Sequence, residues 1–406
     1  MSGISAMGTT FNLPNYTGQL FGLTPADTPL LSAIGGLTGG GMASSTEFEW
    51  QTFDLRDPAQ RVALEGAVAP TAEGRVRANV KNVCQIHQSK VSISYTKQSA
   101  NQQLASPQAA PFNHPGGGTN PVVNEKDWQI AQALTQMALD VNYSFINGVY
   151  QLPVDNTTTR KTRGLIQAIT TNRVSKATST ITGLSSATDT ITETATALTD
   201  GTKIVFTKTG DATGIVAGRI YYVVSKATNT FKVSATSGGT AITLGTSTTN
   251  IDYIVPWTTV LTPAVIDDIL QLAYDNGGIS NQETATLLCN SVQKRAITAA
   301  YADAYGKAVL ISTESRRTVG GVSVQTLETD FGVLNIMMDR HMPQDAIAVV
   351  SLDQLKPVFL NVPDKGVFFE EELAKVGASD DVQLYGEIGL AYGSERAHAL
   401  LRGLDV

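Results

Sequence analysis

The residues best able to do chemistry, four histidines and two cysteines, show no catalytic or metal-binding spacing. The histidines are dispersed, and none lies in an H-E-x-x-H pattern. Cys84 and His87 form a C-x-x-H pair that could supply a nucleophile and its base. We place this pair in a strand, where positions three apart point to opposite faces, so a joint reaction centre is not indicated. Cys289 follows Leu287 and Leu288 and is interpreted as a small core residue.

Phosphate-binding and hydrolase motifs are also missing from the sequence. No G-x-x-x-x-G-K-[ST] loop and no G-x-S-x-G turn occurs. The glycines at 116–118 follow a linker rather than a strand, so they do not indicate a phosphate cradle. The acidic run 370–372 could attract a cation, but consecutive side chains diverge, and we interpret it as a solvated or interfacial face. The sequence therefore predicts no enzyme, no cofactor and no metal site.

Charge is sparse along the whole chain. Asp, Glu, Lys and Arg make up 16% of the 406 residues, against about 25% in ordinary soluble domains. The net charge of −7 has the wrong sign for coating nucleic-acid phosphates. No basic residue precedes Arg56, and no run of about 18 to 20 apolar residues occurs, so we expect neither a secretory signal nor a membrane span. Two distant cysteines favour a reducing cytoplasm.

The elements that could position side chains begin with extended segments. Residues 1–45 carry apolar residues in short groups and predict an extended arm lying on a neighbouring surface, a flexible terminus being the alternative. Within 46–97, two stretches alternate apolar and polar residues with the period of a strand. Between them lies a long polar excursion with charges of both signs. We hypothesise that four of its residues make charged contacts across subunits: Arg56, Asp57, Arg61 and Glu65.

Helical and strand patterns alternate in the rest of the chain. Apolar spacings of three and four predict a long helix over 124–147 with Asn124 as its cap, and a second helix starting at Pro263. Thr supplies 21 of the 81 positions in 175–255, where short β-rich runs predict an inserted β domain. Those runs are Ile204–Phe206, Ile220–Val224, Thr230–Val233, Ala241–Leu244 and Ile251–Val255.

The last third of the chain predicts a compact α+β unit and a closing strand. Between 284 and 350 we expect strands over Thr284–Cys289, Val322–Val324, Asp330–Met338 and Ala346–Val350, with a helix over Ser291–Tyr305 capped by Ser291. Val382–Leu390 and Ala397–Leu401 together predict one long extended stretch.

Taken in order, these elements resemble the major capsid protein of tailed bacteriophages (Caudoviricetes). Four segments carry the resemblance: Thr28–Ile34, Glu47–Leu55, Thr329–Pro343 and Gly386–Leu400. Ala217–Val224 and Asn229–Ile242 are similar to a β module that recurs in phage structural proteins. The fold implied is an α+β, HK97-like capsid fold with an N-terminal arm, an extended β loop, a spine helix and an axial domain, plus an all-β insertion domain.

The resemblance implies seven segments along the chain. They are the arm, the extended loop, a linker and peripheral domain with the spine helix, the insertion, a peripheral helix, the axial domain, and a return to the peripheral domain with the closing strand. In that order we expect them to span 1–45, 46–97, 98–174, 175–255, 256–278, 279–355 and 356–406.

The function implied is building a virion shell. Copies would assemble in the host bacterial cytoplasm as hexamers and pentamers, closing an icosahedral capsid around double-stranded DNA without reading its sequence. Scaffolding, portal and decoration proteins would be separate partners, and no membrane is involved. The loop from Asp54 to Asn79 contains no Lys, which argues against the covalent cross-link that some relatives form. The alternative function is a phage tail or surface-adhesion β protein.

Overall fold

The computed structural model describes residues 23–100, 125–193, 197–247, 250–257, 261–279, 285–309, 326–375 and 377–405. Helix accounts for 21% and strand for 36%, which confirms the predicted α+β class. The chain divides into two compact units. The first contains the described residues of 1–27, 87–139 and 368–386, and the second those of 28–86, 140–367 and 387–406. None of the described helices is long and apolar enough to cross a bilayer.

The described residues contain six α-helices, and two of them confirm strong periodic patterns. The long helix falls where 124–147 predicted one, although the proposed cap Asn124 lies outside the described residues. The second begins with Pro263 in its first turn, as predicted. In chain order the helices are α1 (Pro29–Ile34), α2 (Tyr95–Ala100), α3 (Glu125–Asn147), α4 (Leu165–Ala168), α5 (Pro263–Asp275) and α6 (Ser291–Val309).

Twenty strands and two short 3-10 helices, Leu352–Gln354 and Glu395–Ala397, complete the described elements. The strands are β1 (Gly41–Ala43), β2 (Glu47–Phe53), β3 (Arg77–Val83), β4 (Gln85–Ser94), β5 (Arg173–Ser175), β6 (Thr178–Ile181), β7 (Gly183–Ser185), β8 (Thr190–Thr192), β9 (Lys203–Lys208), β10 (Ile220–Val224), β11 (Thr230–Ser234), β12 (Ile251–Ile254), β13 (Ala285–Cys289), β14 (Thr326–Thr329), β15 (Gly332–Met338), β16 (Ala346–Ser351), β17 (Lys356–Leu360), β18 (Phe368–Glu372), β19 (Ser379–Ala391) and β20 (Ala399–Arg402).

The core of the second unit is a six-stranded mixed sheet in the order β14-β15-β13-β16-β20-β5. Every residue of β13 and β16 is buried, because both faces of the sheet are covered. Leu287 and Cys289 pack with Ile266 of α5, whereas Leu288 packs with Leu30 of α1 and with α4. In the same unit, β1 runs parallel to β17, and β17 pairs antiparallel with the last residues of β19.

The first unit is built on the other end of β19. There β18 and β19 pair antiparallel from Phe368 opposite Gly386 to Glu372 opposite Val382, and β4 also pairs with β19. The Asp381 carboxylate accepts a hydrogen bond from Ser92 at 2.5 Å and contacts Lys90 Nζ at 2.7 Å. These bonds connect β4 to β19 through side chains as well as through the ladder.

Residues 178–254 form a separate seven-stranded sheet within the second unit, in the order β6-β12-β9-β10-β11-β8-β7. Its alternating residues bury Phe206, Tyr221, Phe231 and Tyr253 in one cluster. The run Ala241–Leu244 was expected to be a strand and is not. Its amides bond elsewhere: Ile242 N donates to the Val233 carbonyl at 2.9 Å, and Leu244 N to the Asp189 carboxylate at 2.9 Å.

The predicted single closing stretch is wrong, because β19 and β20 belong to different sheets. Gly393 adopts a left-handed conformation with φ 59°, which lets the chain turn between them. The predicted strand from Asp330 is also shorter, since Asp330 and Phe331 form the turn that joins β14 to β15. The strand expected at 322–324 lies outside the described residues.

Two further predictions near helix ends need correction. Residues 1–45 were expected to be extended, but the described part includes α1, whose Leu30 and Leu31 are buried. Ser291 does not cap α6, because it is already the first helical residue. The cap is Asn290, whose side-chain oxygen accepts a hydrogen bond from Val292 N at 3.3 Å.

Candidate assembly interface

Strands β2 and β3 pair as a two-stranded ribbon, and the long polar segment predicted within 46–97 connects them. Its register pairs Glu47 with Val83 and Phe53 with Arg77. As predicted, alternate residues divide between two faces, and Phe48 and Trp50 share one of them. The ribbon therefore has an aromatic face and a polar face.

The aromatic face anchors the base of the ribbon within the second unit. Trp50 Nε1 donates a hydrogen bond to the Gly393 carbonyl at 2.8 Å, and its ring meets that of Tyr392 edge-on with centroids 4.8 Å apart. Arg396 adds an exposed ion pair to Asp54 at 3.0 Å. The base of the ribbon is therefore held in a defined position within the second unit.

The polar face is held by cross-strand side-chain pairs that run diagonally between the strands. Lys81 Nζ contacts the Glu47 carboxylate at 2.7 Å. The next two pairs, each at 3.0 Å, are Asn79 to Glu49 and Arg77 to Gln51. The hydrogen bond to the Glu47 carboxylate is the main reason that the pKa of Lys81 is raised. These contacts keep the two strands paired as far as the start of the excursion.

Residues 54–76, which we call the excursion, contain no helix or strand and are exposed throughout. Glu73 lies at the centre of a cluster of three arginines. Its carboxylate is 3.4 Å from Arg56 and 3.2 Å from Arg75, and it also accepts a hydrogen bond from Arg61. Three positive charges around one negative charge leave the cluster locally positive.

The structure brings together two of the four residues proposed from the sequence. Arg56 and Arg61 both reach Glu73, whereas the Asp57 and Glu65 carboxylates form no ion pair among the described residues. Asp57 takes part through its carbonyl, which accepts a hydrogen bond from Arg56 at 2.9 Å. Sequence reasoning missed the central role of Glu73, because the path of the excursion decides which arginines reach it.

Large apolar side chains on the excursion and its base have no covering surface within the described chain. Six of them are between 67% and 94% exposed. They are Phe53, Leu55, Val62, Leu64, Val68 and Val76. Beside them, an open groove of about 820 Å³ runs along the ribbon, lined among others by Phe53, Val76, Arg163 and Arg396. Exposed apolar side chains at this density are typical of a surface that another protein covers.

The two cysteines considered for chemistry are both buried. Burial raises the pKa of both thiols, Cys84 and Cys289, to about 12, so neither is a ready nucleophile. Cys84 lies between β3 and β4 rather than inside one strand, and its thiol contacts the Val358 carbonyl at 3.8 Å. No group of three His, Cys, Asp or Glu residues that could hold a metal ion occurs in the part of the chain that the structure describes.

The acidic run 370–372 lies on β18, at the end of its sheet, and is exposed as predicted. Lys126 of α3 pairs with Glu372 at 2.7 Å, and this hydrogen bond raises the pKa of Lys126 and lowers that of Glu372. Charged residues on a terminal strand discourage pairing with a further strand. The run therefore protects a sheet edge.

Comparison with known proteins shows which family the chain belongs to. The model of one protein family, described as the SU10 major capsid protein, matches residues 3–405. The chain belongs to that family. No curated protein matches it. The capsid subunit of cyanophage A-1(L) is similar in structure at 10% identity, with a TM-score of 0.54 and coverage of 99% of both chains. The capsid of an empty GTA particle is similar at 12% identity, with a TM-score of 0.50, covering 100% of this chain and 99% of that one.

The family and the fold together establish the general function. The chain has the HK97-like capsid fold, as the resemblance implied. It is a phage capsid protein that forms the virion shell by self-association into capsomers. Its family is a structural one, in agreement with the lack of a catalytic motif in the sequence.

Proposed function

We propose that this capsid protein assembles as hexamers and pentamers into an icosahedral shell around double-stranded DNA, and that 46–97 reaches over a neighbouring subunit. One observation carries the second part: the apolar side chains of the excursion are exposed in the single chain. Covering one such side chain contributes about 1.5–3 kcal/mol, so several of them can dominate a subunit contact.

In this proposal the charged residues of the excursion set its shape and register. Arg56 and Arg61 are already bound to Glu73 in their own chain. An exposed ion pair contributes about 0.2–1 kcal/mol, less than one buried apolar side chain. The excess positive charge of the cluster, with the Asp57 and Glu65 carboxylates, then selects the correct docking position on the neighbour.

Replacing two apolar residues of the excursion tests this proposal. We expect the double variant Leu64→Ser, Val68→Ser to fold normally but to yield few shells, seen by electron microscopy and by sedimentation. The control is Val154→Ser, which changes a fully exposed valine outside the excursion. Normal shell yield from the double variant, or equal loss in the control, would contradict the proposal.

The charged contacts are tested separately. Arg56→Glu with Arg61→Glu removes both bonds to Glu73 and reverses the local charge. We expect a lower assembly yield and a lower thermal stability of the particle, and a smaller loss than in the apolar variant. Unchanged yield and stability would mean that Arg56 and Arg61 do not act across subunits.

We also propose that 175–255 is an inserted domain that projects outward and decorates or bridges capsomers. The sheet has its own buried cluster. Thr178 and Ile254, the first and last residues of the sheet along the chain, are paired with one another, so the flanking chain enters and leaves the sheet at one place. Replacing 178–254 by a short Gly-Ser linker should remove density from the outer face of the particle in electron microscopy. Loss of density elsewhere would contradict the outward position.

The remaining parts of the proposal concern assignments and partners. Segments 98–174, 256–278 and 356–406 would form the peripheral domain, and 279–355 the axial domain, with 1–45 as the arm. Scaffolding, portal and decoration proteins would be separate chains that meet the capsid protein in the bacterial cytoplasm. This chain is expressed alone and together with each of these candidate partners. Electron microscopy then shows which partners are needed for regular closed shells.

A further inference from the structure

The segment Asp339–Asp345, here called the 339–345 clamp, joins β15 to β16 without regular structure. Its first residues belong to a sequence segment that carried the capsid resemblance, yet the proposed function assigns it no role. Almost every polar group along it is hydrogen-bonded within the second unit. Its two ends bind different parts of the chain.

One end of the clamp holds the N-terminal segment through Asn142 of α3. The buried Asn142 side-chain oxygen accepts a hydrogen bond from Leu31 N at 3.0 Å. Because Leu31 N can only donate, the amide NH₂ must face the clamp. It donates to the Asp339 carboxylate at 2.8 Å and lies 2.9 Å from His341 Nδ1. One side chain therefore binds α1 and the clamp together, with its oxygen and its NH₂ group both in use.

The other end of the clamp holds the seven-stranded sheet. Gln344 N donates to the Gly218 carbonyl at 2.9 Å, and the Gln344 side-chain oxygen accepts from Ile220 N at 3.2 Å. Gly218 has φ 79°, and a Cβ there would lie 3.0 Å from Pro343. The contact therefore requires glycine on the sheet side.

Between its ends the clamp is tied at nearly every residue. Asn290 donates to the carbonyls of Arg340 and Met342 at 3.3 and 2.8 Å. Asn147 donates to the His341 carbonyl at 2.7 Å. The buried Asp345 carboxylate binds Arg402 Nε at 3.1 Å. A displacement at one end would strain these intermediate bonds, which lie between the two attachments.

We infer that the 339–345 clamp couples the attachment of the N-terminal segment 28–36 to the attachment of the sheet 178–254. Loosening either contact loosens the other. This coupling is internal to one subunit, and it therefore does not depend on how the shell is assembled. A change in the attachment of the sheet 178–254 would then alter the attachment of the N-terminal segment 28–36.

Hydrogen exchange of the full-length unassembled chain, read by mass spectrometry, tests the coupling from both ends. We expect Asn142→Leu to speed exchange about tenfold in peptides covering 28–36 and at least threefold in peptides covering 218–222. Gln344→Ala should act in reverse, on 218–222 first and on 28–36 as well. A coupling free energy is reciprocal, so both directions must appear.

The control is Asn82→Leu, which removes an equally buried asparagine whose side chain bonds to Arg163 and Leu390 instead. It should destabilise the chain without speeding exchange at 28–36 and 218–222 together. If each clamp variant changes exchange only at its own end, or if the control reproduces the paired effect, the coupling is refuted. Should Asn142→Leu fail to fold, Gln344→Ala with the exchange at 28–36 decides the matter alone.

Discussion

The excursion and the 339–345 clamp are both connections without helix or strand, yet they use their polar groups in opposite ways. In the clamp, the buried Asp339 and Asp345 carboxylates and successive carbonyls bind other elements of the same subunit. In the excursion, the ion pairs around Glu73 are local and exposed, and the large apolar side chains face outward.

The difference shows which segment is complete within one chain. A buried polar group left without its partner costs about 1–3 kcal/mol, so the hydrogen bonds of the clamp favour one conformation. Exposed apolar surface is instead stabilised only when another molecule covers it. Under the proposed function, the apolar side chains of the excursion are covered on assembly, whereas the bonds of the clamp lie within one subunit.

The largest effect should come from breaking the buried ion pair of the clamp. Asp345→Asn leaves Arg402 without its negative partner beside Arg173, whose pKa is lowered by burial and by Arg402. We expect a loss of about 3–5 kcal/mol in the free energy of unfolding of the unassembled chain. Denaturant titration provides the measurement.

The matched change at the base of the excursion is Asp54→Asn, which removes the exposed pair with Arg396. This variant should lower the free energy of unfolding by less than about 1 kcal/mol. Similar losses in the two variants would show that the buried and exposed segments do not differ in the way described.

Acid should destabilise the folded chain through His398, a buried residue outside both segments. This ring is buried, accepts a hydrogen bond from Ser351 N at 3.2 Å and is 3.0 Å from the Tyr392 carbonyl. Burial lowers its pKa below the ordinary 6.5, against smaller opposing effects of Tyr392, Asp353 and Glu395. The folded chain favours the neutral ring, whereas the unfolded chain takes up a proton on this residue below pH 6.5. The contribution of His398 to stability is therefore complete above pH 6.5 and is lost as the pH falls below that value.

The expected slope is up to about 1.4 kcal/mol of unfolding free energy per pH unit below that value. His398→Gln should flatten the slope, measured by denaturant titration at several pH values. The same slope in the wild-type chain and the variant would assign the acid sensitivity to other groups.

A smaller effect is expected from the centre of the arginine cluster. Glu73→Gln should lower the free energy of unfolding by less than about 1 kcal/mol at low salt. The difference from the wild-type chain should nearly vanish at 1 M salt, where charges are screened within about 3 Å. Glu65→Gln, at a carboxylate outside the cluster, serves as the control and should change nothing. A loss above about 2 kcal/mol would indicate that the cluster is structurally essential in the single chain.

The smallest expected signal is thiol reactivity in the buried regions. With pKa values of about 12, Cys84 and Cys289 should not react with a thiol reagent at pH 8 until the chain is unfolded. A cysteine introduced on the excursion by Val62→Cys should react at once, because that position is exposed. Rapid labelling of the native cysteines would mean that the core opens readily.

Local periodicity predicted much of the fold. The alternation around Trp50 indicated β2, the spacing over 124–147 indicated α3, and Ile220–Val224 matches β10 residue for residue. The predictions that failed are those where neighbouring segments are used differently. Ala241–Leu244 has strand-like residues, but its amides bond to a β11 carbonyl and to the Asp189 side chain instead of forming a ladder. Likewise, β20 joins a different sheet from β19 after the turn at Gly393.

The amino-acid sequence by itself determined the class of elements, the sparse charge, the lack of catalytic motifs and the likeness to phage capsid proteins. The first three follow from composition and from spacings of a few residues, and the likeness rests on the resemblance of four longer segments. Only the tertiary structure decided that Glu73 gathers the arginines and that Asn142, which lies 197 residues before Asp339, ties α1 to the clamp. Such contacts depend on where distant segments meet, and no local pattern records that, because packing of the whole subunit brings them together.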